Sequence, residues 1–60
     1  MYLYGMRLRG FAPSCQPKGA YWHPMTDKYK NKYHDLIMYE EPLSHKDLKA
    51  YELDYLGEVG

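Results

Sequence analysis

The alternation of apolar and polar side chains near the start of the chain predicts a β-strand over residues 2–9. Successive side chains of a strand point to opposite faces, so the even positions form one apolar face. The odd positions carry, besides Leu3, a glycine and two arginines, Gly5, Arg7 and Arg9. One apolar and one basic face are typical of a half-buried strand in an antiparallel sheet. Gly5 on the outer face indicates a bulge or the close approach of another backbone.

Two more strands are predicted in the middle of the chain. Glycines and prolines interrupt residues 10–19, which we expect to form a loop. Residues 20–23 form a short predicted strand that Pro24 ends, and residues 26–31 form a polar connection. The next predicted strand covers residues 32–40, and its centre is apolar on both faces, which indicates an interior position in the sheet.

A helix is predicted at residues 45–56. Ser44 is a good N-cap, and Asp47 stands where a capping box has its acidic partner. Leu43 and Leu48 match the spacing of a hydrophobic staple. Apolar side chains continue at helical spacing through Tyr51, Tyr55 and Leu56, and Gly57 is the predicted C-cap.

These elements predict a single small α+β domain spanning residues 1–60. Its architecture is a three-stranded, mainly antiparallel sheet with one C-terminal helix packed on one face, in the order βββα. Two layers cover only one face of such a sheet. The other face, with Leu3, Arg7 and Arg9, is expected to meet solvent or a partner.

Charge is balanced overall but uneven along the chain. Eight basic and eight acidic side chains cancel, so long-range steering toward a polyanion is not expected. Residues 1–33 carry six basic side chains against one carboxylate, a balance of +5. Residues 34–60 carry seven carboxylates against two lysines, a balance of −5. The carboxylates on or near the predicted helix offer an alternative contact surface, an acidic face for a basic groove of another protein, although Lys46 and Lys49 interrupt it. These carboxylates are Asp47, Glu52, Asp54 and Glu58.

The sequence predicts a cytoplasmic protein. No run of about 18 apolar residues is present, and no signal peptide is evident, so no membrane association is expected. Cys15 is the only cysteine, which excludes an internal disulfide and favours a reducing compartment.

Catalytic and metal chemistry are both disfavoured by residue spacing. Cys15 with His23, His34 and His45 supplies the residue types for a nucleophile or a zinc site. Structural zinc ligands usually come in pairs two to five residues apart, and no such pair occurs. About 60 residues scarcely enclose a catalytic pocket. We therefore predict no enzyme activity, no catalytic residue, no cofactor and no metal site.

A basic and aromatic segment is the strongest candidate for partner contact. Lys28, Lys30 and Lys32 alternate with Tyr29, Asn31 and Tyr33, so an extended backbone would place the lysines on one side and the tyrosines on the other. Eight tyrosines in 60 residues suit both thin cores and binding surfaces. The predicted partner-binding residues are Arg7, Arg9, Lys28, Tyr29, Lys30, Lys32 and Tyr33.

Residues 1–11, MYLYGMRLRGF, and residues 47–57, DLKAYELDYLG, resemble short accessory proteins of phages and mobile elements of low-GC Gram-positive bacteria. This resemblance implies an accessory role, such as a small inhibitor of a host defence or regulatory protein.

Three function classes remain open from the sequence. The first is a non-enzymatic protein-binding module that acts by occlusion, its partner being a host factor or a nucleoprotein complex. The alternative is a small nucleic-acid-binding module that uses the basic and aromatic N-terminal half. A structural homodimer is a third class, which sedimentation would reveal as a doubled mass.

Overall fold

A computed structural model describes residues 1–7 and 16–60 of the chain, which form four strands and one helix. The elements are β1 (Tyr2–Met6), β2 (Tyr21–His23), β3 (Asp35–Tyr39), α1 (His45–Ala50) and β4 (Leu53–Glu58). The predicted α+β class with an antiparallel sheet and one helix is confirmed. The predicted count of three strands and the βββα order are wrong, because a strand follows the helix.

The sheet has the order β2-β3-β1-β4, and each neighbouring pair is antiparallel. Tyr4 of β1 lies opposite Ile37 of β3 on one side and Tyr55 of β4 on the other. The interior position predicted for β3 is therefore confirmed. β1 is also interior, which explains why its residues 3–6 are all buried.

The main core lies between the sheet and α1. Its buried members are Tyr4, Met6, Ile37, Tyr39 and Leu53. The rings of Tyr4 and Tyr39 meet edge to face, with centroids 5.8 Å apart. Both hydroxyls have a backbone partner, since that of Tyr4 accepts from Leu43 N–H at 2.8 Å and that of Tyr39 donates to the Pro17 carbonyl at 2.8 Å. Tyrosine thus supplies bulk to a thin core while its polar tip stays satisfied.

The start of α1 follows the sequence prediction, whereas its end does not. Ser44 Oγ accepts a hydrogen bond from Asp47 N–H at 3.2 Å, which confirms the predicted N-cap. The helix ends at Ala50, six residues before the predicted end. Glu52 then adopts a left-handed φ of 55°, which turns the chain back toward the sheet. Leu53 enters the core as the first residue of β4, and Gly57 lies inside that strand instead of capping the helix.

The face opposite α1 is closed at its centre, contrary to the prediction of an open face there. Leu3 is only 4% exposed, and Leu36 of the neighbouring strand is 1% exposed. The ring of Tyr33 covers Gly5 on this face. The close approach predicted at Gly5 therefore exists, but an aromatic side chain makes it instead of a backbone. The predicted bulge has a counterpart next to Gly5, where the register between β1 and β4 shifts between Leu3 and Tyr4.

Candidate interaction surface

Residues 26–33 fold into two consecutive turns and not into the extended segment that the sequence predicts. The Thr26 carbonyl accepts from the N–H groups of Tyr29 and Lys30, at 3.1 and 3.0 Å. The Tyr29 carbonyl likewise accepts from Lys32 and Tyr33, at 2.9 and 3.0 Å. Lys32 and Tyr33 thus precede β3, which begins at Asp35, and the predicted strand of residues 32–40 is too long at its start. We call residues 26–33 the basic turn.

The two tyrosines of the basic turn are partly buried. Their rings pack together with centroids 5.9 Å apart, as the four-residue spacing of a helical turn allows. The Tyr33 hydroxyl donates to Asp54 Oδ2 at 2.8 Å. Partial burial of the ring raises the pKa of Tyr33, and the hydrogen bond to Asp54 raises it further by a smaller amount. Tyr33 therefore links the turn to β4 and offers little surface for stacking.

The three lysines of the basic turn are all exposed. Lys30 forms an ion pair with Asp27 at 3.4 Å, and Lys28 Nζ lies 5.3 Å from the ring centroid of Tyr29. Residues 30–34 line a surface depression of about 290 Å³. The turn thus presents its cations outward, while the ring of Tyr33 packs on the sheet.

Arg7, another predicted contact residue, is joined to two carboxylates of the same chain. It lies 3.2 Å from Glu52 and 3.3 Å from Asp54, and its side chain is 45% exposed. Exposed ion pairs of this kind contribute about 0–1 kcal/mol each to stability. Because nearly half of its side chain is exposed, Arg7 is still accessible to a partner. Arg9, the other predicted arginine, lies outside the described residues.

The acidic helix face expected from the sequence does not form. Only Asp47 of the four carboxylates lies on α1, because Glu52 is in the turn and the others are in β4. The surface beside α1 is instead apolar. A depression of about 300 Å³ there is lined by Tyr2, Tyr4, Pro42, Leu43, His45, Leu48 and Tyr55.

Sequence reasoning missed the most exposed aromatic pair of the described residues, which lies on β2. Tyr21 is 50% exposed and Trp22 is 51% exposed. Trp22 lies opposite Ile37 and Tyr21 opposite Met38, so the two rings are on opposite faces at the edge of the sheet. The signal was present in the sequence, since two consecutive bulky rings in a strand closed by Pro24 cannot both enter a one-sided core.

The potential metal ligands are dispersed in the described part of the chain. His23 is on β2, where its Nδ1 is 2.8 Å from the Pro24 carbonyl, His34 precedes β3, and His45 begins α1. Within residues 1–7 and 16–60, no three His, Cys, Asp or Glu side chains are grouped to hold a metal ion. Cys15 lies outside the described residues.

The same residues include no helix that is long and apolar enough to cross a membrane. The helix of the described residues, α1, has six residues.

Comparison with known proteins places the chain in a family. No curated protein and no solved structure matches the chain. The family model described as "Defence against restriction A C-terminal" matches residues 1–58, which include each of the strands, α1 and the basic turn. Since the match covers nearly the whole sequence, the chain belongs to the Defence against restriction A C-terminal family.

Proposed function

We propose that the chain is a non-enzymatic protein-binding module of a phage or related mobile element that counteracts host restriction. It occludes a functional surface of a host defence protein in the cytoplasm. The family description supports the connection to restriction. The exposed pair Tyr21 and Trp22 on β2 is the observation that supports a protein partner.

Exposed aromatic rings of this size are unfavourable in water unless a partner covers them. Each large aromatic side chain buries roughly 150–250 Å² when it enters a core or an interface. Trp and Tyr are also the residue types most enriched among those that dominate binding free energy. Met25, 37% exposed, follows Trp22 after His23 and Pro24 and directly precedes the basic turn. We call Tyr21, Trp22 and Met25 the aromatic edge.

The predicted residues around the basic turn complete this surface as a charged rim. Lys28, Lys30 and Lys32 follow Met25 in the chain and are exposed. Charged rims contribute more to the rate of encounter than to affinity, whereas buried aromatic anchors dominate affinity. Loss of Trp22 is therefore expected to cost more binding than loss of any single lysine.

A restriction challenge in cells tests this function. Cells that express a restriction enzyme are transformed with unmodified plasmid carrying its recognition sites, with and without the chain. We expect the chain to raise the number of transformants, and Tyr21→Ala with Trp22→Ala to abolish the rise. Lys46→Ala, an exposed helix residue away from the aromatic edge, serves as the matched control and keeps the protection.

Direct binding completes the test. The purified restriction enzyme is immobilised, and the chain and both variants are passed over it, with folding of each variant checked by circular dichroism. Binding that is lost in the aromatic-edge variant and kept in the control supports occlusion. Equal protection by all variants, or protection without binding to any subunit, would overturn it. Sedimentation of the free chain separates this module from a structural homodimer.

A further inference from the structure

The depression at the basic turn has the composition of an anion site. It is lined by Lys30, Asn31, Lys32, Tyr33 and His34, and no carboxylate is among these residues. The N–H groups of Tyr29, Lys30, Lys32 and Tyr33 are used inside the turns. The Asn31 N–H has no backbone acceptor among the described residues, which adds one neutral donor to the two ammonium groups.

The charges around this depression are only partly compensated. Asp27 lies 3.4 Å from Lys30, but no carboxylate of the described residues lies within 4.0 Å of Lys28 or Lys32. Asp54 is nearby through its bond to Tyr33, and it shares the guanidinium of Arg7 with Glu52, at 3.3 and 3.2 Å. Residues 26–33 themselves carry three lysines against Asp27, a balance of +2, and Asp35 at the start of β3 is the next carboxylate along the chain.

Two exposed carboxylates lie at the far end of β3 from the basic turn. β3 runs from Asp35, beside the basic turn, to Tyr39, and Glu40 and Glu41 follow directly. Five residues of strand span roughly 16 Å, which exceeds the Debye length of about 8 Å at physiological salt. These two carboxylates are thus largely screened from the lysines.

We infer that the basic turn binds the phosphodiester backbone of DNA, independently of base sequence. This function goes beyond the proposed occlusion of a protein. It uses the lysines at the rim of the proposed protein contact and not the aromatic edge itself. Exposed lysines and a backbone N–H suit phosphate contacts, which position a protein on DNA without reading sequence. Base stacking is not part of the inference, because Tyr29 packs on Tyr33 and Tyr33 packs on Gly5.

Contacts between lysines and phosphates determine how the DNA affinity depends on salt concentration. Each neutralised phosphate contributes about −0.9 to the slope of log affinity against log salt concentration on duplex DNA. Three lysines therefore give a slope of about −2.7. At about 0.05 M salt, each removed lysine is expected to weaken binding by up to about tenfold.

Fluorescence anisotropy of a labelled DNA duplex at low salt measures this binding. Lys28→Gln, Lys30→Gln and Lys32→Gln, made singly and together, should lower the affinity and reduce the slope stepwise. Lys18→Gln is the matched control, since it removes the same charge beside Glu40 and Glu41 and should change little. Asp27→Asn frees Lys30 from its ion pair and should raise the affinity.

Several results would overturn the inference. They are no binding at low salt, an affinity that does not fall with salt, an equal effect of Lys18→Gln and Lys32→Gln, and tighter binding of poly-glutamate than of the duplex. The aromatic-edge variant Tyr21→Ala with Trp22→Ala should keep DNA binding. Its loss of protection with retained DNA binding would support the protein partner. Loss of protection in the triple lysine variant, with full protection by the aromatic-edge variant, would support DNA binding as the protective activity.

Discussion

The ring of Tyr33 fills the space that a β-carbon at Gly5 would need. A β-carbon built at Gly5 lies 2.6 Å from both Cγ and Cδ1 of Tyr33, far inside van der Waals contact. The same side chain donates its hydroxyl to Asp54 on β4. One residue of the basic turn therefore contacts β1 and β4 at once, and it fixes where the lysines stand relative to the sheet.

Gly5→Ala is expected to destabilise the fold, because the new methyl group displaces the Tyr33 ring. Forcing extra carbon into a packed site costs about 1–3 kcal/mol, whereas alanine in an unhindered strand would be neutral or slightly stabilising. Urea unfolding followed by circular dichroism measures the change in free energy of unfolding.

Tyr33→Ala in combination with Gly5→Ala is the control for that cause. With the ring gone, the methyl group has room, so the double variant should be less destabilised than the sum of the two single variants. Additive losses would mean that the glycine is needed for a reason other than this contact.

Local signals in the sequence predict much of the fold. Ser44 marks the start of α1 because its cap is formed within four residues, and the apolar centre of β3 marks an interior strand. The end of α1 was not predictable in the same way. Tyr51 and Tyr55 fit a helical spacing, while Leu53 and Tyr55 equally fit the alternation of a strand. Residues 53–58 form a strand because they pair with β1, which is about 50 residues away in sequence.

In the candidate site, too, local features could be predicted and long-range ones could not. The lysines of the basic turn are exposed, whereas its tyrosines are partly buried, since Tyr29 packs on Tyr33 and Tyr33 packs on Gly5. Strand alternation assumes an extended backbone, which residues 26–33 do not have. The exposure of Trp22 depends on β2 being an edge strand, and that position is a property of the whole sheet.

Alkaline pH is expected to destabilise the fold through Tyr39. Burial raises the pKa of its hydroxyl from 10.0 to about 12, with the nearby Tyr51 and Asp47 adding smaller contributions in the same direction. A raised pKa favours the neutral hydroxyl in the folded state. The stability that depends on it is complete below pH 10 and is lost as the pH rises toward 12.

Urea unfolding at a series of pH values between 8 and 12 measures this dependence. Tyr39→Phe removes the ionisable group together with the hydrogen bond to the Pro17 carbonyl. The variant should be less stable at pH 8 but lose less stability as the pH rises. If both proteins lose stability in parallel, other groups control the alkaline transition.

Ser44→Ala is expected to lower the free energy of unfolding by about 1 kcal/mol, because the Asp47 N–H loses its side-chain acceptor. Six-residue helices have little stability of their own, so the cap and the packing of Leu48 on the core both matter. Ser44→Asp retains an acceptor and should recover most of the loss. An equal loss in both variants would show that the hydroxyl acts otherwise than as a cap.

Gln16 is 7% exposed, and neither its side-chain oxygen nor its side-chain nitrogen has a hydrogen-bond partner among the described residues. A buried amide without partners costs about 1–3 kcal/mol relative to its hydration in water. Gln16→Met replaces the amide by an apolar chain of similar length that fills the same space. We expect the variant to unfold at a higher temperature, by several degrees for a gain of about 1 kcal/mol in a domain of this size.

Thermal unfolding followed by circular dichroism measures this change, with Gln16→Glu as the control. The carboxylate should destabilise strongly if the site is dry, whereas a stable Glu variant with an unstable Met variant would show that the amide is solvated.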